Sequence, residues 1–274
     1  MKTPTATAGY FRNGLPYNRV GHGPRNLILL QGLMFENKPL PTFLTPLFNR
    51  YYQYLSSDYT IYIVLPKPGQ PEGCSMRDLA QDCATLIREE FDGPVDLIGV
   101  STGGSIAQHL AADHPELIRK LVIHSSAHTL GQVAKQAQMQ TAQFARQRKW
   151  RAAYAAMFGP VLARAKNNPA RLMGRVVTWL AGTFAAPKDP SDLVAIIEAE
   201  DKLAFKARLG EIKARTLVTG GDSDPYYPEA LFRETAEGIP NARLIIYKGV
   251  GHPAAGKQFR QDLLNFLIEN VTAR

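Results

Sequence analysis

Short continuous apolar runs alternate with longer stretches of helical spacing, and this alternation restricts the fold more than any other feature. The runs are Leu27–Leu30, Tyr59–Leu65, Val95–Gly99, Leu121–His124, Leu217–Thr219 and Leu244–Tyr247. Apolar residues that follow one another without polar alternation fit strands covered on both faces, as in a parallel sheet. Helical spacing occupies Met76–Glu90, Ser105–Asp113, Glu229–Glu237 and Lys257–Ile268. The pattern predicts an α/β chain with a mostly parallel central sheet, helices on both faces and right-handed crossovers. Tyr17–Val20 is expected to add an edge strand. The chain has 274 residues, 45% of them hydrophobic, which is enough to bury a large core without disulfide or metal support.

One stretch breaks the rhythm. From about Leu130 to Asp201 no run reads as a strand, and Ala, Gln and Arg dominate at helical spacing, with Pro160, Pro169, Pro187 and Pro190 as expected interruptions. Residues 130–201 are therefore expected to form a helical lid inserted into a core made of 1–129 and 202–274. The charge is concentrated there. Residues 130–189 hold ten basic side chains and one acid, Asp189, so this segment accounts for the chain's formal +8. Its run Phe144-Ala145-Arg146-Gln147-Arg148-Lys149-Trp150-Arg151 reads as one amphipathic helix with a solvated face. No nucleic-acid motif accompanies it, so nucleic acid is not an expected partner, nor is a membrane surface. The N-terminal residues lack the apolar stretch of a secretory signal, and the only cysteines are Cys74 and Cys83. Both features fit a reducing, cytoplasmic setting.

Three segments carry chemistry. In the first, an apolar strand runs into Gly99-Val100-Ser101-Thr102-Gly103 and then a helix. Gly-x-Ser-x-Gly in that context makes a tight turn that exposes the serine, and the helix N-terminus adds amide donors beside it. Phosphate-loop spacing and its lysine are absent. A serine hydroxyl needs a base and an orienting acid, and the order Ser…Asp…His continues downstream. The second segment, Thr219-Gly220-Gly221-Asp222-Ser223-Asp224, ends a strand with two carboxylates. Asp224 is the expected acid, and Asp222 the competitor or a turn cap. The third, Gly249-Val250-Gly251-His252, follows the last strand and supplies the expected general base, His252. After the strand Asn26–Leu30, the turn Gln31-Gly32-Leu33-Met34 offers the amide of Leu33, with Met34 as alternate, to pair with that of Thr102 as an oxyanion hole.

With these residues in place the chain resembles the α/β-hydrolase superfamily over nearly its whole length. The resemblance implies an α/β-hydrolase fold with a helical cap inserted after the sixth family strand. It also implies a cofactor-free serine hydrolase of carboxylic esters working through an acyl-enzyme on Ser101. Lactone, thioester and carbon–carbon bond hydrolysis use the same residues. A ligand-binding relative without turnover is the alternative of another class. Two departures from the family pattern bear on the substrate. Gln31-Gly32 stands where the family usually has His-Gly, and Pro66–Ser75 replaces the usual Asp-x-x-Gly-x-Gly-x-Ser loop. Serine at 101, where some relatives carry Asp, argues against epoxide hydrolase and haloalkane dehalogenase chemistry.

The expected ligand is a small-molecule ester, either anionic and drawn by the basic cap or bearing an apolar acyl group. Met34, Phe35, His128, Trp150, Trp179 and Tyr226 are the expected pocket walls. His124 and His128 form His-x-x-x-His, but at a strand end and loop without a nearby carboxylate or thiolate, so no metal is expected.

Overall fold

The computed structural model describes residues 6–42, 52–164 and 168–268. The expectation made on residues 1–5 and the basic Lys166 lie outside the described residues. The chain builds one eight-stranded sheet, in the order β1-β2-β4-β3-β5-β6-β7-β8. The strands are β1 (Thr7–Tyr10), β2 (Pro16–Gly21), β3 (Arg25–Leu30), β4 (Tyr59–Val64), β5 (Val95–Val100), β6 (Ile118–His124), β7 (Arg215–Gly221) and β8 (Ala242–Tyr247). The pairs β1/β2 and β2/β4 are antiparallel, and every other pair is parallel. The expected edge strand is therefore a two-strand antiparallel margin. β1 was not legible because four mostly exposed residues, Thr-Ala-Gly-Tyr, carry no apolar pattern.

All six residues of β5 are buried, as its continuous apolar run requires of a strand covered on both faces. Its one acid, Asp96, lies at the strand's amino end, where it accepts from Tyr59 Oη at 2.6 Å and from Arg119 Nε and Nη2 at 2.9 and 2.8 Å. A buried carboxylate survives there because three charge-assisted or hydroxyl donors replace water.

One face of the sheet is covered by α1 (Met76–Glu90), α2 (Thr102–Asp113) and α7 (Glu229–Gly238), and the other by α8 (Lys257–Ile268). The entry to α1 is fixed by a reciprocal cap. The Asp78 amide donates to Ser75 Oγ, and the Ser75 amide donates to Asp78 Oδ2. The chain runs from β3 outward to β4 and then returns to β5 on the opposite side of β3. The strand order thus reverses between β3 and β5, where open α/β sheets place their ligands at the carboxyl ends of the strands.

Between β6 and β7 no strand occurs among the described residues. Four helices fill the interval: α3 (Gln132–Arg146), α4 (Trp150–Ala163), α5 (Asn168–Phe184) and α6 (Ser191–Asp201). Two local expectations change. Pro160 lies inside α4 rather than ending it, and leaves the last turn one amide donor short. The run Phe144–Arg151 is not one helix, because Gln147–Lys149 turn the chain between α3 and α4 and Arg148 takes a positive φ of 55°.

Candidate active site

The four loops that end β3, β5, β7 and β8 meet at the carboxyl edge of the sheet. Ser101 follows β5 directly, at φ 50° and ψ −123°, a conformation that costs a residue with a Cβ about 1–3 kcal/mol. The surrounding backbone enforces it. A Cβ on Gly99 would lie 2.6 Å from the Gly103 carbonyl oxygen, and one on Gly103 would lie 2.1 Å from that of Leu30. Glycine at both positions lets α2 start against the strand, and the turn between them projects Ser101.

His252 links the hydroxyl to a carboxylate. Its Nδ1 is 2.7 Å from Asp224 Oδ2, and its Nε2 is 3.1 Å from Ser101 Oγ. An ionised carboxylate only accepts, so Nδ1 carries the proton and donates to Asp224. That leaves the Nε2 lone pair to accept from the Ser101 hydroxyl. Asp224 is buried, and its second oxygen accepts from the amides of Tyr226 at 2.8 Å and Tyr227 at 3.1 Å. The imidazole is held between Tyr226, edge-on at 4.9 Å, and Tyr227, stacked at 5.8 Å. Asp222 is exposed and caps the next turn, accepting from the Gly249 amide at 2.7 Å.

Leu33 and Thr102 both border the cavity in front of Ser101. Thr102 is the first residue of α2, so its amide has no carbonyl one turn earlier within the helix. Neither amide is engaged by a backbone carbonyl among the described residues. The cavity holds about 250 Å³. Met34 and Tyr226 are among its walls, together with Leu130, Ala134, Met157 and Phe158 from the helical insertion and its approach.

Four expected wall residues lie elsewhere, each for a packing reason. Phe35 stacks on Tyr154 at 3.7 Å and pins the insertion to the sheet loop. Trp150 is buried in the small core of the insertion. His128 is buried, with its ring against Thr235 Oγ1 at 3.1 Å and near Glu234. Trp179 lies in a separate cleft beneath the Arg151 guanidinium, 4.6 Å from the ring centre. No basic side chain of the insertion lines the catalytic-edge cavity among the described residues.

Two residues near the site have roles not expected from the sequence. Glu200, in the last turn of α6, is fully buried and reaches under the start of α2. It accepts from Thr102 Oγ1 at 2.7 Å, Ser105 Oγ at 2.8 Å, Gln138 Nε2 at 2.8 Å and Tyr227 Oη at 3.5 Å. Burial raises its carboxyl pKa and the four donors pull it back, with burial prevailing. Burial, with Glu200 beside it, also holds the Tyr227 phenol well above the usual range. An acid in an Ala- and Ile-rich helix was the available signal, but an acid at a helix end is ordinarily solvated.

The second is His124, at the end of β6. Its Nε2 donates to the Ala254 carbonyl at 2.7 Å, so its Nδ1 accepts from Tyr52 Oη at 2.8 Å. It thereby anchors the loop that delivers His252, while the Ala254 amide donates to Ser125 Oγ at 2.8 Å. Burial pushes the His124 pKa down to about 4. Both ring nitrogens are engaged by protein, and among the described residues no three His, Cys, Asp or Glu side chains gather to hold a metal. Cys74 and Cys83 are buried free thiols, and burial raises Cys83 to about 12. No helix among the described residues is long and apolar enough to cross a membrane.

Residues 17–259 match the profile of the Alpha/beta hydrolase family. The pimeloyl-[acyl-carrier protein] methyl ester esterase of Nitrosomonas europaea is 24% identical over 216 residues, covering 72% of this chain and 80% of that protein. Among solved structures, the enol-lactonase of Burkholderia xenovorans LB400 superposes with a TM-score of 0.72 at 20% identity, covering 96% of this chain and 100% of that one. A Bacillus subtilis carboxylesterase superposes with a TM-score of 0.71 at 17% identity, covering 98% and 93%.

Proposed function

The chain belongs to the alpha/beta hydrolase family, and within it we propose a serine hydrolase that cleaves small-molecule carboxylic esters through an acyl-enzyme on Ser101. The observation that carries this reading is the series of contacts from Asp224 Oδ2 to His252 Nδ1 and from His252 Nε2 to Ser101 Oγ, at 2.7 and 3.1 Å. In this reading residues 130–201 are the cap, and 1–129 with 202–274 are the catalytic core.

Ser101 Oγ attacks the ester carbonyl as His252 Nε2 takes its proton. Asp224 holds the useful tautomer and stabilises the imidazolium. The amides of Leu33 and Thr102 donate to the oxyanion, where losing one donor costs about 3 kcal/mol of transition-state stabilisation. Collapse expels the alcohol, which receives the proton from His252. Water, deprotonated by the same nitrogen, then releases the acid and restores Ser101. Thr102 suits the role because its side chain is tied to Glu200, away from the cavity, at 2.7 Å. The mostly apolar cavity favours an apolar acyl group over the anionic alternative, since its cap-side lining includes Ala134, Met157 and Phe158 and no cation. The relative named for a methyl ester of an acyl chain is consistent with that class.

The test is hydrolysis of 4-nitrophenyl butyrate by the native chain and Ser101→Ala, with fluorophosphonate labelling of Ser101. Turnover and labelling abolished in the variant support the reading. Background turnover by both, without labelling, would point instead to a ligand-binding relative.

A further inference from the structure

Of the eleven large apolar side chains exposed among the described residues, seven lie on α5. Leu172, Met173, Val176, Val177, Leu180 and Phe184 follow one another at spacings of one, three, one, three and four residues, so they share one face of the helix. They are well exposed, Met173 at 66% and Phe184 at 81%. The opposite face packs on α4 through small residues. A Cβ on Gly174 would strike Leu162 at 2.2 Å, and one on Gly182 would lie 2.6 Å from Arg151 Cα. Glycines thus face inward and large apolar side chains face out, the reverse of what a water-exposed helix requires. An uninterrupted apolar row of this length is a contact surface.

Charge identifies what it contacts. Arg171 and Arg175 lie off the row, on the side of α5 turned towards α4. With Arg151 and Trp179 they line a cleft of about 380 Å³ between α4 and α5. Among the described residues none of these three arginines forms an ion pair. The surrounding segment 130–189 holds ten basic residues against one acid. A second copy of the chain would bring two such basic surfaces together, which electrostatics opposes. Anionic headgroups above acyl chains match both features at once, because the row enters the apolar layer while the arginines meet phosphate. We propose that α5 lies in the interface of a bilayer carrying anionic lipids.

The basic run alone did not point to a membrane; the apolar row beside it does. The placement also bears on substrate, and that part rests on the esterase reading. Phe158 of α4 borders the catalytic cavity and is 39% exposed. Docking through α5, which packs on α4, would set the cap side of the cavity beside the membrane, where esters with long acyl chains partition.

The test is sedimentation of the 274-residue chain carrying Ser101→Ala with vesicles. One set is phosphatidylcholine alone, the other equal parts phosphatidylcholine and phosphatidylglycerol. Binding to the anionic vesicles is expected to exceed binding to the neutral ones by at least ~10-fold and to weaken with salt. The double variant Val176→Asp/Val177→Asp should lose at least ~10-fold in binding with unchanged circular dichroism, since both side chains face solvent. Arg171→Gln and Arg175→Gln should each cost roughly fivefold on anionic vesicles and little on neutral ones. Absence of binding to anionic vesicles would overturn the proposal. So would a dimer in solution that Val176→Asp/Val177→Asp dissociates. Because binding is measured on the serine variant, failure of the esterase reading leaves these outcomes untouched.

Discussion

The rim of the sheet and the helical insertion border the same cavity but are held by different means. At the rim, each side chain is delivered by a loop at the end of a strand: Ser101 after the buried β5, Asp224 after the mostly buried β7, His252 after the half-buried edge strand β8. Ladder registers and glycine clearances fix those loops, so the backbone sets the positions. The insertion is held by side-chain packing, with alanines 142, 145 and 153 at its small core and Phe35 stacked on Tyr154 as its clamp. On the proposed esterase reading, chemistry sits on the part positioned by the backbone, and access to it on the part positioned by side-chain packing. Glu200 crosses the divide, a residue of α6 buried among donors from α2, α3 and the loop after β7.

The largest expected effects lie at the rim. Ser101→Ala should lower kcat for a 4-nitrophenyl ester by at least ~10⁴, and Asp224→Asn by a similar factor through the wrong imidazole tautomer. Asp222→Asn, which only weakens an exposed turn cap, should cost less than roughly tenfold. Steady-state kinetics on the three variants separate the two carboxylates. Equal losses at Asp222 and Asp224 would contradict the rim geometry.

Glu200→Ala tests whether rim and cap are separable. It strands four buried donors, and a loss of about 4 kcal/mol in unfolding free energy is expected. Because one donor is Thr102, kcat should fall along with stability, even under conditions where the variant remains folded. Urea melts paired with kinetics on the same samples decide it. A stable variant with native turnover would mean that the cap merely covers the site.

The same division governs what could be read in the chain. Continuous apolar runs announce buried parallel strands, and Gly99, Ser101, Gly103, Asp224 and His252 stand in short segments whose turn chemistry is local. Thr7–Tyr10 escaped because a short exposed margin strand has no apolar signature. In the insertion, aromatic residues at helical spacing show that a core exists but not which face meets the cavity. Trp150 and Trp179 turned to other contacts, and Met157 and Phe158 took the walls. Glu200 and His124 were hidden for a related reason: their partners lie far along the chain, and a buried acid or histidine is recognised only when its donors are known.

Acid should weaken the rim through His124. Its pKa is about 4 in the folded chain against 6.5 for an ordinary histidine. The unfolded chain therefore binds the extra proton first, and stability is complete above pH 6.5 and lost progressively as pH falls towards 4. The shift corresponds to about 3 kcal/mol. His109, also held near 4 but partly exposed, adds to the loss. Glu200 opposes it, since burial holds its carboxyl high and favours the protonated folded form. Urea midpoints measured from pH 7 to pH 4 should fall, and His124→Gln should flatten the fall. A slope unchanged in that variant would remove His124 from the account.

The smallest effect separates two cap aromatics that look alike in sequence. Phe158 borders the cavity, so Phe158→Ala should remove apolar contact from longer acyl chains and lower kcat/KM for a hexanoyl ester by about tenfold, with acetate nearly unchanged. Trp179 lies in the cleft with Arg151, so Trp179→Ala should alter kcat/KM for either ester by less than about twofold. The ratio of the two esters, measured for each variant, cancels differences in active fraction. If Trp179→Ala shifted that ratio as far as Phe158→Ala, the insertion would act on the substrate as one body, and its contrast with the rim would narrow to a difference in rigidity alone.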